Sequence, residues 1–100
     1  MKWIYKLTFP NNKMYVGMDL TGSLGYFGSP NSKAIEADFT PTERRDFTIR
    51  REIIWESKTA TDAEVQAKKL QFIHAFKSND PAIGYNRWPT FRKGAAKSAA

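Results

Sequence analysis

Two short segments of alternating residues, separated by a turn-forming tripeptide, constrain the fold of this chain most. Every second side chain of residues 2–9 is large and apolar, which predicts a strand with one buried face. Pro10-Asn11-Asn12 supplies turn chemistry, and Met14–Met18 predicts a second strand. The chain therefore opens with a β-hairpin. The residues predicted to be buried on its first strand are Trp3, Tyr5, Leu7 and Phe9.

The length of the hairpin loop decides where two tyrosines, Tyr5 and Tyr15, are placed. A three-residue loop pairs Phe9 with Lys13 and brings Tyr5 opposite Gly17. Tyr15 is then its diagonal neighbour on the same face, about 7–8 Å away. A two-residue loop places the tyrosines on opposite faces of the hairpin. The sequence favours neither register strongly.

The middle of the chain carries a loop and two helix signals. Residues 19–28 are rich in glycine and predict a loop. Ser29 predicts the N-cap of a short helix that has Pro30 as its first residue and extends to about Phe39. Residues 40–43, Thr-Pro-Thr-Glu, form a capping box that predicts one or two further helical turns.

A third strand and a long helix follow. Residues 46–56 alternate again and predict a strand, and the capping box at 61–64 opens a helix that extends to about Lys77. The order β-β-α-(α)-β-α predicts an α+β fold, a small three-stranded antiparallel sheet flanked by helices. We expect residues 1–88 to form one domain and residues 89–100 a basic, flexible tail. The predicted core of this second half is Ile53, Trp55, Phe72 and Phe76.

Charge and composition narrow the class of partner. Sixteen Lys and Arg against ten Asp and Glu give a net charge of +6, which favours a polyanion, most commonly nucleic acid. Without cysteine there is no disulfide framework and no thiolate metal site. No apolar run approaches the roughly 20 residues of a membrane span, and the first residues do not form a secretory signal. We expect an intracellular protein with no membrane partner.

Several short motifs, taken in order, resemble the GIY-YIG nuclease family. "WIY" at 3–5 corresponds to GIY and "YVG" at 15–17 to YIG. The downstream motifs follow the order of the phage homing-endonuclease branch, and the resemblance spans roughly residues 3 to 86. Each motif is weak alone, but the ordered set is specific. The downstream motifs are "GYFGSP", "DFTIRREIIWES", "TDAEVQAKKLQFI" and "DPAIGYN".

The resemblance implies a DNA endonuclease that hydrolyses phosphodiester bonds of double-stranded DNA with Mg²⁺ or Mn²⁺, as a small free-standing enzyme in a phage-infected bacterium. In the family a tyrosine acts on the attacking water, an arginine steadies the phosphate and a helix glutamate holds the cation. By position, Tyr5 and Tyr15 match the two motif tyrosines and Asn86 a late polar residue. Gly17 matches the glycine that permits close backbone approach.

Positive charge is needed near the phenols, because a tyrosine with a reference pKa of about 10 becomes a base only beside cations. Lys6, Lys13 and Lys33 are candidates for supplying it. The short helix after the loop lacks the family arginine, and Lys33 is its nearest cation, although a lysine has no bidentate fork. The predicted DNA-binding residues are Lys6, Lys13, Arg44, Arg45 and Arg87, of which Arg44 and Arg45 are also outside candidates for the arginine role.

The metal ligand is where the chain departs most from the family. The family glutamate aligns with Lys69, which shares a helix face with Val65, Phe72 and Ile73. An ammonium cannot bind a hard cation, so binding of Mg²⁺ is doubtful and cleavage is expected to be impaired. An offset of one helical turn in the alignment is the alternative. Glu64 is the best other carboxylate, but its capping box already explains it; Glu36, Glu52 and Glu56 are more simply solvated charges.

Three interpretations remain open from the sequence. The first is an endonuclease domain, impaired here by Lys69. The second is a catalytically inactive DNA-binding module on the same fold. The third is a basic structural or ribosome-associated protein, which accounts for the charge but not for the ordered motifs. The one histidine, His74, fits a packed or rim position better than a general base. We expect Tyr5, Tyr15, Lys33 and Lys69 to surround one basic hollow.

Overall fold

A computed structural model describes residues 1–22, 28 and 30–91 of the chain. The predicted Ser29 cap, most of the "GYFGSP" motif and the end of the predicted tail, residues 92–100, lie outside this part. The described elements form the predicted α+β architecture, with a three-stranded antiparallel sheet and helices. They are β1 (Lys2–Thr8), β2 (Met14–Asp19), α1 (Ser32–Asp38), α2 (Pro41–Arg45), β3 (Arg50–Ser57) and α3 (Asp62–Phe76).

The hairpin adopts the register of a three-residue loop. The backbone N–H of Phe9 donates to the carbonyl of Lys13 at 2.9 Å, and Asn12 takes a positive φ of 68° inside the loop. Tyr5 consequently faces Gly17 across the strands, as this register predicts. Strand residues separated by two positions share a face, so Tyr5 and Tyr15 lie diagonally on one face of the sheet.

The third strand pairs with the other side of β1, so the strand order is β2-β1-β3. It begins at Arg50, four residues later than predicted. The pairing shifts between Ile4 and Tyr5, and this bulge interrupts the alternation. Ile53 is therefore 40% exposed, contrary to the core position predicted for it, while Trp55 packs beside α3. A pattern with strict period two could not reveal this irregularity.

The sheet is covered on both faces, which corrects the prediction that β1 has one buried face. One core contains the tyrosine pair with Phe39 and Tyr85, and residues of α1 pack against it. The other core contains Ile4 and Val16 under α3. Ile4, which lies between Trp3 and Tyr5 on β1, is thus buried on the second face of the sheet. Residues of α3 in this second core are Val65, Phe72, Ile73 and Phe76.

The helix ends follow from their caps. Thr40 and Thr61 form the predicted capping boxes with Glu43 and Glu64, and α2 is a single short helix as expected. The α3 helix ends at Phe76, where Lys77 adopts a left-handed conformation. For α1, the N-cap is Asn31 rather than the predicted Ser29, because the Asn31 side chain accepts the N–H of Ala34.

The chain after α3 returns to the outer edge of β2. Met14 exchanges two backbone hydrogen bonds with this segment, donating to Ile83 at 3.1 Å and accepting from Tyr85 at 2.8 Å. Gly84 makes the approach possible, because a side chain there would collide with the backbone of Met14 and Ser78. The segment therefore covers a sheet edge that would otherwise expose unpaired backbone groups.

Candidate functional site

The two motif tyrosines lie together. Their ring centroids are 6.4 Å apart with the planes tilted by 50°, and both side chains are buried. Tyr5 comes from the central strand and Tyr15 from the edge strand, so the pair sits on the face of the sheet that α1 covers. The hairpin register alone accounts for this placement, which the sequence had left between two alternatives.

Two glycines make room for the phenols. A side chain at Gly17 would enter the ring of Tyr5, which lies across the strand from it. Gly28 has a positive φ of 74°, and a side chain there would collide with the hydroxyl groups of both Tyr5 and Tyr15. Both hydroxyl groups therefore point toward the backbone at residue 28, where the chain returns from the loop.

The fit at Gly17 gives a direct stability prediction. Replacing a strand glycine by alanine is normally favourable by about 0.5–1 kcal/mol. We expect Gly17→Ala to lower the free energy of unfolding instead, by about 1–3 kcal/mol, because the new methyl group overpacks against the Tyr5 ring. Urea denaturation measures the difference. An unchanged or raised stability would contradict the packing of Tyr5 over Gly17.

A cation that lies against one phenol of the pair, Tyr5, is Arg51, which the sequence analysis did not single out. Its guanidinium carbon is 5.0 Å from the ring centroid of Tyr5 and 5.5 Å from that of Trp3. Arg51 pairs with Leu7, and so it belongs to the same face of the sheet as Tyr5. A guanidinium over an aromatic face is attracted to it. The register in which β3 pairs with β1 is the information that would have identified Arg51 as a neighbour of Tyr5.

Of the three lysines proposed to act on the phenols, Lys6 and Lys13 have other partners. Lys6 follows Tyr5 on β1 and therefore points to the opposite face, where its ammonium lies 3.1 Å from a carboxylate oxygen of Glu52 and over the ring of Phe76. Lys13 lies 2.6 Å from Asp38. Lys33 is exposed on α1, on the phenol side of the sheet. The predicted DNA contacts Arg44, Arg45 and Arg87 are exposed as well.

A small polar network ties the hairpin loop to α1 and to the C-terminal segment. The hydroxyl of Tyr85 donates to Asp38 at 2.7 Å and accepts from the side-chain amide of Asn11 at 2.9 Å. Hydrogen bonds from Lys13 and Tyr85 lower the pKa of Asp38. Burial, with the Asp38 charge assisting, raises the pKa of Tyr85 to about 12. Tyr85 is thus a neutral hydrogen-bond donor that holds the phenol-side core in place.

Both polar groups of the Asn86 side chain form hydrogen bonds with the backbone of one strand residue, Val16. Its carbonyl oxygen accepts from the backbone N–H of Val16 and its amide donates to the Val16 carbonyl, both at 2.8 Å. The side chain is buried, and it extends the pairing of the C-terminal segment along the β2 edge. Val16 stands between Tyr15 and Gly17, so Asn86 fixes the strand that carries both motif residues.

Lys69 borders a groove on α3. The groove has a volume of about 190 Å³ and lies between the helix and the C-terminal segment. Burial lowers the pKa of Lys69, which means that its charge lacks part of the solvation it would have in water. The lining residues are Gln66, Lys69, Leu70, Ile73, Trp88 and Pro89.

The phenols and the helix that carries Lys69 lie on opposite faces of the sheet. The α3 helix packs on the face of Ile4 and Val16, whereas Tyr5 and Tyr15 lie in the core against which α1 packs. The chain itself connects the two places: Asn86 is bonded at Val16, and Pro89, three residues later, lines the Lys69 groove. Three extended residues span at most about 11 Å. The segment along the β2 edge therefore links the two places along the chain, but the phenols and the Lys69 helix lie on opposite faces of the sheet, so the single hollow expected for Tyr5, Tyr15, Lys33 and Lys69 is not the arrangement found.

The donor set at this edge does not suit a divalent cation. The residue aligned with the family ligand is a lysine, and hard cations require oxygen ligands. Among residues 1–22, 28 and 30–91, no group of three or more His, Cys, Asp or Glu side chains is placed to hold a metal ion. Glu64 is exposed and accepts the N–H of Thr61 at 3.3 Å. His74 is exposed on the last turn of α3.

Comparisons with known proteins add no family assignment. No protein-family model, no curated protein and no solved structure matched the chain. Within the described residues, no helix has both the length and the apolar character required to cross a bilayer.

Proposed function

We propose that this protein is a DNA endonuclease domain of the GIY-YIG type, small and free-standing, whose cleavage step is impaired by Lys69. It binds double-stranded DNA inside the cell, and its hydrolytic chemistry would require Mg²⁺ or Mn²⁺. The observation that carries the proposal is the packing of Tyr5 and Tyr15 as a pair with their hydroxyl groups toward Gly28.

The chemistry of the pair supports a role at a phosphodiester. Hydrolysis requires a group that takes a proton from water near neutral pH and cations that offset charge on the phosphate. The phenols are the candidate proton acceptors, and Arg51 is a permanent cation beside one of them. We assign to Arg51 the role for which the sequence offered Lys33, with Arg44 and Arg45 as outside candidates, because a guanidinium presents a planar fork to phosphate oxygens. The proposal keeps Lys33 and Asn86 as secondary site residues. It keeps the exposed Arg44, Arg45 and Arg87 as contacts to DNA.

Lys69 favours a second candidate function. A half-buried ammonium in the groove between α3 and the Trp88–Pro89 segment attracts phosphate without any metal. A protein with this arrangement would bind DNA and leave it intact, as a catalytically inactive module on the same fold. The two candidates share their DNA affinity and differ in whether a carboxylate at position 69 is enough to restore cutting.

DNA binding itself is tested by salt dependence. We expect the protein to bind labelled duplex DNA, with affinity falling steeply as salt rises, because each neutralised phosphate releases counterions. Fluorescence anisotropy at several salt concentrations gives the slope. Replacing exposed Arg87 by alanine should reduce that slope by about one unit. Affinity that is absent, or independent of salt, would refute both candidates and favour a structural protein.

A further inference from the structure

The groove beside Lys69 combines features that no purely structural role explains. Trp88 is 74% exposed and Leu70 is 43% exposed, although both are large apolar side chains on a small protein. They line the groove together with Pro89, and Lys69 lies half-buried among them. Two exposed apolar side chains at one groove, beside a half-buried cation, make the groove a candidate binding place.

The chemistry of the groove complements that of a single nucleotide. Trp88 offers a wide aromatic face, on which any nucleobase can stack. The ammonium of Lys69 is partly desolvated, so an anion placed beside it would restore interactions that burial removes. Arg87 precedes Trp88 and is exposed to solvent. An aromatic face, an apolar wall and the ammonium of Lys69 match a base joined to its phosphate, and Arg87 lies next to the groove along the chain.

The size of the groove limits what can enter. At about 190 Å³ it is smaller than the roughly 300–1,000 Å³ of pockets that enclose a whole small molecule. It is also too narrow for a paired duplex. One unpaired base of a longer strand fits these limits, since the remainder of the strand would stay outside on the basic surface.

We infer that the groove between α3 and the Trp88–Pro89 segment binds one unpaired base of a DNA strand, stacked on Trp88 with its phosphate at Lys69. This inference rests on the proposed DNA binding and specifies the kind of DNA that is preferred. A duplex with a single-nucleotide bulge presents such a base at low cost, because the base has no partner to lose.

The experiment compares two labelled duplexes of the same sequence, one fully paired and one with a single-nucleotide bulge. We expect the protein to bind the bulged duplex about tenfold more tightly and with quenching of tryptophan fluorescence. Trp88→Ala should remove both the preference and the quenching, while Trp88→Phe keeps most of the preference. Ile53→Ala is the matched control, because it removes an exposed apolar side chain of β3 outside the groove.

The outcomes separate this inference from the proposed function. Failure to bind either duplex would refute DNA binding as a whole. Salt-sensitive binding without preference for the bulge, or a preference that survives in Trp88→Ala, would overturn the inference and leave DNA binding standing. An equal loss of affinity for both duplexes in Trp88→Ala would also overturn it, because Trp88 would then contact paired DNA.

Discussion

Replacing Lys69 by glutamate should give this protein Mg²⁺-dependent cutting of supercoiled plasmid, a gain of about 100-fold or more over the unaltered chain. The physical reason is the exchange of an ammonium, which repels a divalent cation, for a carboxylate, which is a preferred ligand of Mg²⁺. Position 69 is half-buried and lines the groove beside Trp88 and Pro89, so the groove would restrict the position of a carboxylate there. Plasmid nicking, followed by gel electrophoresis with and without Mg²⁺, measures the effect.

Lys68→Glu is the matched control for this experiment. It makes the same change of charge one residue away, and Lys68 is also half-buried, but it does not line the groove. We expect Lys68→Glu to stay inactive. If the unaltered chain already cuts well, the assignment of Lys69 as the impairing residue is wrong. If Lys69→Glu binds DNA and remains inert, the second candidate, an inactive binding module, is the better account.

The same background tests the residues of the phenol pair. In Lys69→Glu, adding Tyr5→Phe or Tyr15→Phe should abolish the gained cutting, because the hydroxyl groups are the proposed proton acceptors. Adding Arg51→Gln should remove more activity than adding Lys33→Ala, since Arg51 lies against Tyr5 and Lys33 is exposed. Equal losses would return Lys33 to the role that we assign to Arg51.

The elements of the fold were predictable where local signals agree. The capping boxes at Thr40 and Thr61 and the alternation of the first strand each act over a few residues, and the structure contains all three elements. The prediction that α1 starts after Ser29 was wrong because Ser29 and Asn31 are both good N-cap residues, and the sequence offers no means to rank them. Local preferences are similar there, and tertiary packing decides.

The candidate site was predictable only in part, because it depends on long-range pairing. The alternation of residues predicted that Tyr5 and Tyr15 lie on strands. The loop length, which determines whether they share a face of the sheet, could be known only from the structure. Arg51 was missed because its position follows from the register of β3 against β1, and a bulge disturbs that register. Helical periodicity put Lys69 on the core side of α3, but it could not tell which face of the sheet that helix covers.

Removing the side chain of Asn86 should lower the free energy of unfolding by about 2–4 kcal/mol. In Asn86→Ala, the N–H and the carbonyl of Val16 would both lose their buried partner, and each buried unsatisfied group costs about 1–3 kcal/mol. Urea denaturation measures the loss. Asn79→Ala is the control, since Asn79 donates one hydrogen bond to Pro89 in a half-buried position, and it should cost about 1 kcal/mol.

This prediction also decides how Asn86 contributes to the proposed activity. The resemblance gives it a place among the site residues, whereas its contacts tie both of its polar groups to the backbone of β2. A residue that acts by holding Tyr15 and Gly17 in place should lose cutting in parallel with stability. In the Lys69→Glu background, Asn86→Ala should therefore cut almost normally at low temperature and fail as it unfolds. Loss of cutting while the protein is fully folded would show instead that Asn86 contacts DNA or the reacting phosphate.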